Sequence, residues 1–253
     1  MSHATFKIWR THANGGGTYQ TFQTEISDGM VVLDAVHRIQ AEQAPDLAVR
    51  WNCKAGKCGS CSAEINGKPR LLCMTRLNSL NLHEPITVEP MRAFPPIKDL
   101  VTDVSWNFRV KEGIKKFKPR PPDAADGTWR VAQQDIDRVQ EFRKCIECFL
   151  CQDVCHVLRD HNKHDEFIGP RFFVYAANLE MNPIDIEDRV PDLRKEHGHG
   201  YCNITKCCTK VCPEHIHITD NGIIPMKERM ADNYDPIVWL LRKFRGGKKK
   251  TPA

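Results

Sequence analysis

The residues in this sequence best suited to chemistry are its cysteines. The chain has 12 of them in 253 residues, in groups of four that span residues 53–73, 145–155 and 202–212. In compartments that keep thiols reduced, clustered cysteines usually form metal or redox sites and not disulfides. The three groups therefore predict three metal–thiolate sites.

The first group has the spacing of a plant-type 2Fe-2S site, C-x4-C-x2-C with a distant fourth cysteine. Its predicted ligands are Cys53, Cys58, Cys61 and Cys73. Gly56 and Gly59 let the loop turn tightly, so that backbone N–H groups can donate to sulfur. A structural zinc site is the alternative, but zinc modules usually present their ligands two and two, which favours the cluster.

The second group has the bacterial ferredoxin spacing, C-x2-C-x2-C-x3-C. In such a run the first three thiolates hold one cubane and the fourth reaches to another cluster. The third group supplies the missing ligand of the cubane. The predicted 4Fe-4S ligands are Cys145, Cys148, Cys151 and Cys212.

The third group matches the same spacing except at one corner, where Thr205 replaces the second cysteine. Only three thiolates remain for the other site: Cys155, Cys202 and Cys208. Three thiolates suit a 3Fe-4S cluster. Cys207 lies off this spacing and is predicted to be free, with an alternative role as a ligand that completes a cubane.

The N-terminal part predicts strands and one helix. Asn14 to Gly17 separate two segments of β-type residues, which indicates a hairpin. A helical pattern follows from Met30 to Gln43, with Ser27 or Asp28 as its cap. Asn66-Gly67 predicts a second hairpin, which brings Cys73 back toward Cys61.

Prolines concentrate between Phe94 and Asp126, which indicates a connection between domains with one helix inside 100–117. Helical patterns then begin at Gln134, Pro170 and Lys227. We expect two domains, residues 1–108 and 109–253. The basic run 242–250 is interpreted as a solvated end, with anionic lipid or an acidic partner as the alternative.

Composition excludes some classes of protein. The 37 basic residues are offset by 32 acidic ones and lack interleaved aromatics, which argues against a zinc-stapled module with a nucleic-acid partner. No stretch of 18 residues is free of charge, so no membrane-spanning helix is expected. The N-terminus has neither a secretory nor a transit pattern, which favours the cytoplasmic side.

With these motifs in place, the sequence resembles the iron-sulfur subunits of the succinate dehydrogenase and fumarate reductase family. The matching pieces are residues 53–61, the hairpin to Cys73, Cys145-Ile146-Glu147-Cys148, Ile168-Gly169-Pro170 and the run from Cys202 to Pro213. They cover nearly the whole chain. The resemblance implies an α+β fold, with an N-terminal β-grasp plant-type ferredoxin domain and a C-terminal α-helical bacterial-ferredoxin-like domain.

The resemblance also implies a function. The chain would be the non-catalytic electron-transfer subunit of a succinate:quinone oxidoreductase, peripheral on the cytoplasmic face of the inner (plasma) membrane of a prokaryote. Its partners would be an FAD-containing flavoprotein subunit, membrane anchor subunits and, through the anchor, quinone. Electrons would pass through the 2Fe-2S, 4Fe-4S and 3Fe-4S clusters. Succinate oxidation is the favoured direction, and residues 25–50 with the Pro95 region are the expected flavoprotein contact.

The sequence departs from the family beside the third site. Many members follow the Cys155 position with Pro, Ser and tryptophans that help build a quinone site, whereas His156 follows here. His156 is therefore a candidate exit for electrons or protons. The other histidines near the clusters, His197, His199, His215 and His217, are interpreted as surface-loop residues. Fumarate reduction, or a heterodisulfide-reductase-like complex, remains an alternative.

Overall fold

The computed structural model describes residues 2–232, 235–237 and 240–241. Its N-terminal part contains a five-stranded sheet, one long helix and a small two-stranded sheet. The elements are β1 (Ser2–Thr11), β2 (Gly17–Ile26), α1 (Val32–Glu42), β3 (Ser62–Ile65), β4 (Lys68–Leu71), β5 (Ile86–Glu89), β6 (Pro96–Lys98) and β7 (Val101–Thr102), with a 3-10 turn at Leu77–Ser79.

The main sheet has the strand order β2-β1-β5-β3-β4. β1 pairs with β5 in parallel, and the other pairs are antiparallel. Phe6 and Ile8 alternate along β1 and point into the core, where Val36 and Ile39 of α1 cover them. The sheet with its covering helix confirms the expected ferredoxin-like domain.

Both predicted hairpins form. β1 and β2 pair from Ser2–Ile26 to Thr11–Gly17. Asn66 and Gly67 take the left-handed conformation that a tight two-residue turn requires, with φ of 50° and 69°. The predicted cap of α1 is wrong: Val31 precedes the helix, and its N–H donates to Asp34 Oδ2 at 3.1 Å. The first N–H groups of the helix, those of Val32 and Leu33, donate instead to the carbonyls of Thr75 and Leu72 at 2.9 and 3.1 Å, so a polar cap is not needed.

The second part is built from short helices, as expected. They are α2 (Ser105–Gly113), α3 (Gln133–Gln140), α4 (Leu150–Asp153), α5 (His156–Arg159), α6 (Pro170–Glu180), α7 (Val190–Lys195), α8 (Cys207–Val211) and α9 (Ile224–Asp232), with 3-10 turns at Glu141–Lys144 and His199–Tyr201 and a π-helical turn at Ile218–Ile223. Cysteines lie before, in or after α4, α5 and α8, which explains why these helices are short: each is one turn between cluster loops.

The two parts share their hydrophobic cores. Met91 and Phe94 precede the helical part in the chain but pack in its core. Cys148 and Leu150 lie in the helical part but pack in the core of the sheet. Neither core is therefore complete without residues from the other part.

A buried ion pair also crosses this junction. Glu64 of β3 is fully buried, and its Oε2 lies 3.1 Å from Arg159 Nη2 of α5 and 3.3 Å from Arg92 Nε. Burial raises the pKa of Glu64, while the two guanidinium groups act in the opposite direction. A lone buried carboxylate would be costly here, so Glu64 requires its arginine partners, and Arg159 is the partner that joins the two parts.

Within the residues described, no helix is both long and apolar enough to cross a membrane. The basic run 242–250 lies outside the described residues, as does part of the helix predicted from Lys227 to Arg242.

Candidate metal centres

The first cysteine loop wraps around the thiol of Cys53. The backbone N–H groups of Ala55 and Lys57 both lie 3.3 Å from Cys53 Sγ. Gly56 and Gly59 have φ of 67° and 68°, which confirms that the loop uses them for tight turns. N–H groups aimed at sulfur stabilise a thiolate, as a ligand to iron must be.

The second hairpin delivers Cys73 to this loop. The N–H of Leu72 donates to the carbonyl of Cys61 at 3.0 Å, and both Cys61 and Cys73 are buried. The thiol of Cys61 interacts with those of Cys58 and Cys73. Burial raises the pKa of Cys61 to about 12, so this thiol ionises only with a compensating positive charge, such as bound iron.

The second site is a cavity between α4, α6 and the end of α8. Four thiols border it: Cys145, Cys148, Cys151 and Cys212. Burial raises the pKa of Cys148 to about 12 and raises that of Cys151 well above its usual value. These are the residues that the sequence assigns to the 4Fe-4S cluster. The structure therefore brings the ending cysteine of the third group to the first three of the second group.

The third site gathers the remaining thiols. Cys155 lies close enough to Cys202 and Cys207 to interact with their charges. Cys208 Sγ lies 3.5 Å from Thr219 Oγ1, and its thiol interacts with that of Cys151. Helix α4, which contains Cys151, packs against α8, which contains Cys208, so the third site lies next to the second.

The first and second sites also adjoin. A Cβ on Gly59 would lie 2.6 Å from Cys148 Cα, so the two loops touch through their backbones. The Ser62 hydroxyl lies 2.8 Å from the Cys148 carbonyl and 2.9 Å from that of Gly59. Ser62 could not be identified from the sequence, because its partner lies 86 positions away and no local pattern reveals it.

The donor set fits iron-sulfur clusters. Among the described residues, no three His, Cys, Asp or Glu side chains converge closely enough for a single metal ion. In the second site four thiols instead surround a shared cavity whose other walls are mostly apolar, with Arg171 and Glu214 as the charged exceptions. Sulfur donors around a largely apolar space are what a cluster requires.

A charged network holds the loop of the second site. Glu147, between two of the cysteines, accepts from Lys111 and Arg171, both at 2.6 Å. It has a φ of 54°, as the turn between Cys145 and Cys148 demands. Side-chain hydrogen bonding to Lys111 and the charge of Arg171 outweigh burial and lower the pKa of Glu147, which keeps the pairs charged.

His156 directly follows Cys155 at the third site and is half-buried, and its side chain interacts with the thiol of Cys207. Its ring centroid lies 6.1 Å from that of His161. Of the four histidines interpreted as surface-loop residues, His215 and His217 are exposed and His197 is half-buried. The interpretation is wrong for His199, which is 0% exposed and packs edge-on to Phe173.

Replacing His199 with leucine is expected to reduce the loss of stability in acid. Burial lowers the pKa of His199 to about 3, and neither ring nitrogen has a hydrogen-bond partner. When the pH falls below the pKa that His199 has in the unfolded chain, the unfolded chain binds a proton that the native chain does not bind. The free energy of unfolding therefore decreases as the pH is lowered. Between about pH 7.5 and pH 5.5 the wild type should lose about 1 kcal/mol more than the variant.

Denaturant unfolding of both proteins at the two pH values measures this difference. Equal losses would show that His199 is protonated in the native state. The same comparison for His217→Leu is the control, because His217 is exposed and bonded to Glu141.

Comparisons with known proteins agree with this geometry. Residues 5–109 match the family described as a 2Fe-2S iron-sulfur cluster binding domain, and residues 141–216 match the 4Fe-4S dicluster domain. The fumarate reductase iron-sulfur subunit of Mycobacterium tuberculosis is 31% identical over 82% of this chain and 84% of its own length.

Two other relatives show the range of the likeness. The fumarate reductase iron-sulfur subunit of Haemophilus influenzae is 29% identical over 78% of this chain and 80% of its own length. A chain of the Mycobacterium smegmatis Sdh1 complex in the apo form is 58% identical, with a TM-score of 0.88 over 93% of this chain and 98% of that one.

The matched domains, the relatives of similar length and the three adjoining thiol sites lead to one conclusion. The chain belongs to the family of succinate dehydrogenase and fumarate reductase iron-sulfur subunits, the non-catalytic electron carriers of these oxidoreductases.

Proposed function

We propose that this chain carries electrons from an FAD-containing flavoprotein subunit to a membrane anchor and quinone, as part of a succinate:quinone oxidoreductase. The observation that supports this most directly is the series of adjoining sites. The loop of Cys53 to Cys61 touches Cys148, and Cys151 of the second site interacts with Cys208 of the third. Electrons can pass from one cluster to the next only if the cluster sites are neighbours in an unbroken series.

Each site has its own proposed ligands. Cys53, Cys58, Cys61 and Cys73 hold a 2Fe-2S cluster, Cys145, Cys148, Cys151 and Cys212 a 4Fe-4S cluster, and Cys155, Cys202 and Cys208 a 3Fe-4S cluster. When bound, these clusters supply one-electron carriers between a two-electron flavin and the acceptor. The boundary between the domains is proposed to lie after residue 108.

The protein's own contribution is position and environment. Ser62 bridges the carbonyls of Gly59 and Cys148 and so fixes the distance between the first two sites. Buried thiols in the second site exclude water, which holds the surroundings at low polarity. Donation to Cys53 Sγ from two backbone N–H groups favours negative charge at the first site.

The exposed edge of the first site supports flavoprotein docking. Cys53 is exposed, and beside it Trp51 and Met74 are 47% and 56% exposed. Large apolar side chains around a redox centre favour a partner surface. We propose that this edge, together with residues 25–50 and the Pro95 region, receives the flavoprotein.

At the other end, His156 beside the third site is the proposed exit toward the anchor. The chain is proposed to lie peripherally on the cytoplasmic face of the inner membrane of a prokaryote. Succinate oxidation is the proposed direction, supported by the 58% identical chain of a complex named Sdh1. Fumarate reduction is the second candidate, supported by the name of the Mycobacterium tuberculosis relative.

Electron paramagnetic resonance with iron and sulfide analysis tests the relay. Protein purified without oxygen is expected to hold about nine irons, with a near-isotropic signal when oxidised and a 2Fe-2S signal after dithionite. Iron near zero would contradict the proposed function.

Two variants test the exchange of ligands between groups. Cys212→Ala is expected to abolish the 4Fe-4S signal while the oxidised signal of the third site persists, because its thiol borders the second cavity. Cys202→Ala, the matched control, should do the reverse. If Cys212→Ala removes the oxidised signal and spares the other, the proposed ligand sets are wrong.

A further inference from the structure

The corner of the third site that lacks a cysteine is not without a thiol. Thr205 stands where the regular spacing would place the second cysteine of the group. Its hydroxyl lies 3.3 Å from Cys207 Sγ. The sulfur of Cys207 therefore lies directly beside the side chain that takes the place of the missing cysteine.

The other contacts of Cys207 point into the same site. Cys207 begins α8 directly before Cys208, a proposed ligand, and its thiol also interacts with the side chain of His156. Cys155 lies close enough to both Cys207 and Cys202 to interact with their charges. Cys207 is therefore a neighbour of the three proposed ligands.

The environment of Cys207 is more open than that of its neighbours. Cys155 and Cys208 are buried, whereas Cys207 is half-buried and lines a groove between the two parts of the chain. The same groove is bordered by Lys68, Arg70 and Lys210. A half-buried thiol beside buried ones can gain or lose a metal bond without disturbing the core.

We propose that Cys207 is a fourth ligand that lets the third site take up one further iron and change from a 3Fe-4S to a 4Fe-4S cluster. The proposal rests on the proposed function, since it requires a cluster at this site. A 4Fe-4S cubane usually has four thiolate ligands, and Cys207 would supply the fourth beside the three proposed ones.

The conversion balances without an added oxidant. A 3Fe-4S core that has accepted one electron from the relay is neutral, and a ferrous ion with two positive charges completes a 4Fe-4S core with two positive charges. One Fe–S bond forms to Cys207, and its proton passes to water. Loss of the ferrous ion reverses the step and returns a free thiol.

The test uses the complex that contains the chain, purified without oxygen. The complex is incubated with dithionite and ferrous ammonium sulfate and then freed of excess iron. After gentle reoxidation it is examined by low-temperature electron paramagnetic resonance. The wild type should lose most of its near-isotropic oxidised signal and gain about one iron per chain. Cys207→Ser and Cys207→Ala should keep both the signal and the original iron content.

Alkylation gives a second measurement that does not depend on activity. Iodoacetamide followed by mass spectrometry should label Cys207 before the incubation and leave it protected afterwards. Lys210→Ala is the control variant, because Lys210 is exposed, lines the same groove and is not a proposed ligand. It should convert like the wild type.

Other results would overturn the proposal. If the wild type keeps its oxidised signal and Cys207 is still labelled, or if the Cys207 variants convert as the wild type does, Cys207 is not a ligand. Failure of the proposed function is distinguishable, since it would leave no oxidised signal, no 2Fe-2S signal and little iron in any of the proteins.

Discussion

A Gly59→Ala chain is expected to lose about 2–5 kcal/mol of stability together with the 4Fe-4S signal. Two causes add. The φ of 68° is a conformation that alanine adopts only with strain, and the new Cβ would lie 2.6 Å from Cys148 Cα and 2.9 Å from its N. Because both neighbours are backbone, the loops must separate. Thermal unfolding measures the loss of stability, and electron paramagnetic resonance of the same preparation measures the loss of the 4Fe-4S signal.

Gly67→Ala is the matched control. Gly67 has nearly the same φ, 69°, but nothing lies within 4 Å of its added Cβ. It should cost only the backbone strain, about 1–2 kcal/mol, and leave the clusters intact. If the two variants were equally stable and equally loaded, close contact between the loops would not be what Gly59 provides.

Arg189→Met should destabilise the helical part by about 3–5 kcal/mol, because it leaves buried carboxylates without their positively charged partner. Arg189 is buried, and its Nη2 lies 2.9 Å from Asp185 Oδ2 and 2.6 Å from the carbonyl of Lys116. Its Nη1 lies 3.8 Å from Glu180, which is also buried. Methionine matches much of the volume of arginine but none of its charge. Denaturant unfolding measures the loss.

Arg38→Met provides the comparison at the surface. Arg38 lies 3.7 Å from Glu25 and 3.8 Å from Glu42, and all three side chains are more than one-third exposed. Its loss should cost under about 1 kcal/mol. A cost for Arg189→Met as small as that for Arg38→Met would mean that Asp185 and Glu180 are neutral in the native chain.

The cysteine spacing and the turn residues made much of this structure predictable. Asn66-Gly67 is a local pattern, so the hairpin that returns Cys73 follows from two adjacent residues. Helices α1 and α6 follow from their apolar periodicity and begin within two residues of the predicted positions. The arrangement of Cys212 beside Cys145 follows from the known exchange of ligands between paired ferredoxin runs.

What could not be predicted depends on partners distant in sequence. Arg159 meets Glu64 across 95 positions, and no periodicity in either segment predicts the pair. His199 was expected on the surface because polar loops usually are, but Phe173 and the turn at Gly198 bury it. The contact of Cys207 with Thr205 is local, yet it depends on the φ of 61° at Lys206, which the sequence does not reveal.

The cores that exchange residues across the junction constrain the order in which the chain matures during its synthesis. The first thiol loop is complete once residue 73 has emerged from the ribosome, but the sheet that supports it still lacks Cys148 and Leu150. The second cavity also needs Cys212 before it closes. Iron delivered early would find an incomplete set of cysteine ligands. Metal loading of the second cavity is therefore expected to be a post-translational event that requires nearly the whole chain.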